Sequence, residues 1–139
     1  MEETLRMRQD NYSGHLKVYG EESERTLISA SNYAATFLAL ERLEEARSML
    51  RKTIPIARKV LGEGHDLTLR MRTIYAQAIY RDPAATLDNL RETVNTLEET
   101  ARTARRVLGG AHPLAVEIER SLGKARAAVR ARETPPRRA

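Results

Sequence analysis

The sequence predicts an all-α fold, a short right-handed α-solenoid of stacked antiparallel helical hairpins. Three observations carry that prediction. Val18-Tyr19-Gly20 returns as Val60-Leu61-Gly62 after 42 residues and as Val107-Leu108-Gly109 after 47 more. The segments between these marks carry apolar residues at steps of three and four, the spacing of one helix face. The core is aliphatic, because the 139 residues include five Tyr, one Phe and no Trp. A hairpin of two such helices cannot bury its apolar stripe alone, so each hairpin must complete the core of the next.

Six helices are expected, over 3–19, 23–39, 42–61, 65–80, 84–108 and 112–132. The first-of-pair pattern is Leu27, Ala30, Ala34, Phe37 and Leu38, then Leu67, Met71, Ile74, Tyr75, Ala78 and Ile79. The second-of-pair pattern is Leu43, Ala46, Leu50, Ile54, Ala57 and Leu61, then Leu87, Leu90, Val94, Leu97, Ala101, Ala104 and Leu108. Thr26-Leu27 and Tyr33-Ala34 recur as Thr68-Leu69 and Tyr75-Ala76. The five additional residues of the longer period fall around Arg81–Thr86, where Asp82-Pro83 reads as a loop leading into a helix.

Starts and stops repeat too. Glu44 and Glu45 open a helix, Arg58-Lys59 and Arg105-Arg106 fall in last turns where cations oppose the helix dipole, and Gly62 and Gly109 suit a left-handed stop. Pro55 lies inside the third helix and removes a hydrogen bond to Arg51, so a kink is expected there. Residues 1–132 are expected to form one helical-repeat domain, with repeats near 21–62 and 63–109 and partial repeats at both ends. Residues 133–139 are expected to be a basic disordered tail.

The chain carries 24 Lys and Arg against 19 Asp and Glu. Residues 1–60 hold ten basic and nine acidic groups, 61–100 four and seven, and 101–139 ten and three, so the balances are +1, −3 and +7. The positive charge belongs to the last helix and the tail. With no cysteine, disulfides, thiolate metal sites and a cysteine nucleophile are excluded. The first ten residues are too charged for a secretory leader, and no apolar run approaches the roughly 20 residues of a membrane span.

Catalytic chemistry finds no support. His65 and His112 occupy one repeat position at helix starts and read as caps; with His15 they are spread over distant hairpins, so no metal is expected. The neighbours Glu44-Glu45 and Glu98-Glu99 point apart on a helix and do not form an acid/base pair. Gly62-Glu63-Gly64 and Gly109-Gly110 lack the preceding strand and following Gly-Lys-Ser/Thr of a phosphate loop. No enzyme and no cofactor is expected.

Gly62 with His65 at a helix start, Thr26-Leu27 and Asn32-Tyr33-Ala34, Leu43-Glu44-Glu45-Ala46 with Leu50, and Val60-Leu61-Gly62 together resemble the kinesin light chain type of tetratricopeptide repeat, over about residues 5–132. The resemblance implies a non-catalytic cytoplasmic scaffold whose first-of-pair helices line a concave groove for peptides or partner proteins. The groove asparagine corresponds to Asn32, and its repeat equivalents are Ile74 and Ser121. The candidate partner-binding residues are Ser29, Asn32, Thr36, Arg70 and Gln77, polar positions beside the core stripe. The alternative is nucleic-acid or anionic-surface binding through Lys124, Arg126, Arg130, Arg132, Arg137 and Arg138. Leu5, Tyr12 and Leu16 suggest an apolar N-terminal helix face that could pair two copies of the chain.

Overall fold

The computed structural model describes residues 2–133. These form six helices: α1 (Glu2–Tyr19), α2 (Glu24–Ala39), α3 (Leu43–Val60), α4 (Asp66–Tyr80), α5 (Leu87–Leu108) and α6 (Pro113–Glu133). Every helix packs against its neighbour in sequence. In addition α2 touches α4 and α4 touches α6, whereas among the described residues α1, α3 and α5 do not touch one another. The stack therefore has an inner layer of α2, α4 and α6 and a spread outer layer of α1, α3 and α5, and it bends toward the inner layer.

The core follows the apolar stripes. Leu27, Ala30, Ala34, Ala46, Leu50, Ala57 and Met71 are buried in one cluster, and Leu69, Ala76, Leu97, Ala104 and Ile118 in the next. The recurrent Thr-Leu also has a physical reason. Thr26 Oγ1 donates to His15 O at 3.1 Å and its repeat equivalent Thr68 donates to Ala57 O at 3.4 Å, each tying an inner helix to the end of the outer helix before it.

The three stop glycines all adopt positive φ, +84° at Gly20, +97° at Gly62 and +90° at Gly109, the conformation that an L side chain resists. The histidine caps also form: His65 Nδ1 accepts from Leu67 N and His112 Nδ1 from Leu114 N, both at 3.1 Å. Ser23, at the equivalent position before α2, makes no such side-chain bond.

Three expectations need correction. α5 begins at Leu87 rather than residue 84, because Asp82 Oδ1 takes Ala84 N in a turn and a capping box between Thr86 and Asn89 starts the helix later. Glu133 ends α6, so the expected tail keeps only 134–139, which lie outside the described residues. Pro55 lies inside α3 as expected, and the helix runs on to Val60 with the proline on its exposed side. Leu5 and Tyr12 are not an open apolar face: both are buried in the cluster built on α2, with Leu16 packed beside them.

Candidate functional site

The inner layer carries a depression of about 350 Å³ shared by α2, α4 and α6. Its α2 wall is Ser31, Asn32, Ala35, Leu38 and Ala39; Arg70, Thr73, Ile74 and Gln77 of α4 form the opposite wall, with Arg81 just past the helix end and Leu114 and Glu117 of α6 closing one side. The i, i+3, i+4 spacing that places Asn32 and Ala35 on one face of α2 also places Arg70, Thr73, Ile74 and Gln77 on one face of α4. Two helices touching along such faces leave room between them only where residues are short, as at Ser31 and Ala35.

The polar equipment is mixed. Asn32 and Arg70 are exposed at the surface of the depression. Gln77 is 8 % exposed and donates from Nε2 to Ser121 Oγ on α6 at 3.0 Å, which leaves its carbonyl oxygen as an acceptor. Ser31 is 2 % exposed and its Oγ has no hydrogen-bond partner. A buried hydroxyl without a partner is costly, about 1–3 kcal/mol, so the α2 wall carries an unmet hydrogen-bonding group. Thr73, the repeat equivalent of Ser31, satisfies its hydroxyl on Leu69 O at 2.7 Å.

Asn32, Arg70 and Gln77 thus come together as expected from their positions, and Ser29 and Thr36 do not. Ser29 Oγ faces α1, 2.7 Å from His15 Nδ1, and donates to Arg25 O at 2.9 Å, so it fastens α1 to α2. Thr36 Oγ1 donates to Asn32 O at 3.0 Å and the side chain is buried. Ser31, Thr73, Arg81 and Glu117 were missed. The pairing of Ser31 with Thr73 at the 42-residue offset, a hydroxyl in both repeats, was a signal that could have found two of them.

The repeat position held by Asn32 is filled by Ile74 in α4 and by Ser121 in α6. Ser121 is not among the residues that line the depression, and its Oγ accepts from Gln77 Nε2.

The described members of the basic set are spread over separate tasks. Arg126 pairs with Glu98 at 3.0 Å on α5. Arg132 donates to the carbonyls of Ala85 and Pro83, the latter at 2.7 Å, and so ties the end of α6 to the α4–α5 loop. Lys124 and Arg130 are exposed on α6. Arg137 and Arg138 lie outside the described residues.

Elsewhere, charge organises the outer layer. Arg47 of α3 donates to Ala78 O at 2.7 Å and pairs with Asp82 at 3.2 Å and Glu44 at 2.7 Å. Hydrogen bonds from Arg47 and then Arg51 hold the Glu44 carboxyl below its ordinary range. The hydrogen bond to Glu44 in turn raises Arg51. Tyr33, stacked on Phe37 at 4.5 Å, has its phenol pushed up, chiefly by burial. Among the described residues no cluster of three or more His, Asp or Glu is placed to hold a metal ion, and no helix is long and apolar enough to cross a membrane.

Residues 26–66 match the family model of the tetratricopeptide repeat. The matched stretch begins inside α2, takes in all of α3 and ends at the first residue of α4, so it covers one hairpin and the turn beyond it. No curated protein and no solved structure matches the chain.

Proposed function

We propose that this chain is a non-catalytic interaction module that holds a segment of a partner protein in the inner-layer depression. The supporting observation is Ser31: a buried hydroxyl without a partner, beside Asn32, Arg70 and the carbonyl oxygen of Gln77 in a depression of about 350 Å³. An extended peptide presents alternating N–H and C=O groups, and an amide such as Asn32 can serve both. Arg70 and Glu117 at one side add charges of opposite sign that would fix the direction of the segment.

The tetratricopeptide match over the α2–α3 hairpin supports a protein partner, because repeats of this kind generally mediate protein–protein interactions. We further read the repeat as the kinesin light chain type, on the 42-residue recurrence of Thr-Leu, Tyr-Ala and Val-x-Gly. We take residues 1–132 as one domain and the cytoplasm as its place of work.

The test places a photo-reactive side chain at Ala35, on the exposed floor of the depression, and identifies the cross-linked protein in cells. Asn32→Ala and Arg70→Ala, both at exposed positions, should each remove the cross-link while leaving the helical circular dichroism unchanged. Retention of every cross-link in the double variant would refute the assignment.

A further inference from the structure

The last hairpin departs from the repeat at a notable pair of positions. At the 47-residue offset Arg47 becomes Val94 and Asp82 becomes Val129. The ion pair that joins α3 to the end of α4, at 3.2 Å, is thereby replaced by two valines. The backbone changes with it: α4 stops at Tyr80 and Asp82 lies in a loop, whereas α6 runs on to Glu133 and carries Val129 on a helix. Arg132 holds this added length against the Pro83 and Ala85 carbonyls.

The outcome is an open groove of about 380 Å³ between antiparallel helices, lined by Arg91, Val94 and Asn95 of α5 and by Arg126, Val129 and Arg130 of α6. It shares no residue with the inner-layer depression. Each wall repeats the i, i+3, i+4 pattern of a helix face, with a central valine flanked by Arg91 and Asn95 on α5 and by Arg126 and Arg130 on α6.

We propose that this groove docks an acidic amphipathic helix of a partner protein, with aliphatic side chains on Val94 and Val129 and carboxylates on the flanking arginines. A groove between two packed helices is the shape that accepts the ridge of a third. Guanidinium groups bind carboxylates with two parallel hydrogen bonds, which suits them to such a rim. All three have interactions within the chain, among them Arg126 with Glu98 at 3.0 Å and Arg91 with Glu133 at 3.9 Å. Both pairs are solvent-exposed, and exposed pairs hold weakly, so an incoming carboxylate can share or replace them. The balance of ten basic to three acidic groups over residues 101–139 draws an acidic partner toward this end of the stack.

A phosphate backbone would use the arginines and leave the valines idle, and no aromatic residue follows Tyr80 to stack a base. The groove therefore favours a protein helix over nucleic acid.

The test is an NMR titration of the full chain, labelled at valine methyls, with a synthetic helix of roughly 15 residues that carries leucine at i, i+3, i+4, i+7 and glutamate elsewhere. The Val94 and Val129 methyls should shift saturably. The same peptide with lysine for glutamate should bind at least about fivefold more weakly. Val129→Asp should abolish the shifts at Val94, and Arg91→Gln, at an exposed position, should weaken binding by about threefold to fivefold without loss of helicity. The proposal fails if the shifts centre elsewhere, if the lysine peptide binds equally well, if Arg91→Gln has no effect, or if a duplex oligonucleotide moves these methyls and the acidic peptide does not.

Discussion

Gln77 of α4 and Ser121 of α6, forty-four residues apart, share a buried hydrogen bond of 3.0 Å from Nε2 to Oγ. It joins two inner helices directly beneath the candidate partner-binding depression. Removing either partner leaves the other without its hydrogen bond in a largely buried site. Gln77→Ala and Ser121→Ala should each cost about 1–3 kcal/mol of unfolding free energy. In urea denaturation the double variant should lose less than the sum of the singles, with a coupling of roughly 0.5–1.5 kcal/mol. Strict additivity would show that the bond contributes nothing.

The two histidine caps should behave alike. Each accepts a hydrogen bond from the backbone N–H two residues on, so His65→Ala and His112→Ala should each destabilise by about 1 kcal/mol. Asparagine at either position should restore most of the loss, since it is a strong cap former. Because the caps belong to different helices, the effects should add in thermal denaturation.

Glu44 supplies a pH dependence whose sign is fixed. Its carboxyl is held below the ordinary value of 4.5 by hydrogen bonds from Arg47 and Arg51. The stabilisation it contributes is present above that value and is lost as pH falls through the lowered one. Glu44→Gln should therefore be less stable than the parent near neutral pH and should converge with it in acid. Chemical denaturation at a series of pH values reads this directly, and a constant gap across the acid range would contradict it.

The repeat equivalents Leu50 and Leu97 are both fully buried. Truncation to alanine at either should cost about 2–5 kcal/mol through lost burial and the cavity left behind. Arg106→Ala, on the exposed side of α5, should stay within about 0.5 kcal/mol. Equal losses at Leu50 and Leu97 would mark the two hairpins as equally packed.

The element order, the stripes and the stops were legible because each depends on local spacing. Leu50 and Leu97, the glycines at 62 and 109, and the histidines at 65 and 112 announce themselves by recurrence. Asp82-Pro83 resembles a helix entry and places the start of α5 three residues early, while the capping box of Thr86 and Asn89 sets the true one. Of the candidate site, Asn32, Arg70 and Gln77 were within reach because they share the inner helix face with the core stripe.

By itself, then, the sequence determined the helices, their buried faces and their turns, since the 3.6-residue period and a residue's tolerance of positive φ act over a few residues. Only the tertiary structure decided the fate of each polar group. It spent Ser29 on His15, Ser121 on Gln77 and Arg132 on two loop carbonyls, and it left Ser31 buried without a partner. Those outcomes depend on where one hairpin crosses the next, a relation between residues far apart in the chain that no local spacing encodes.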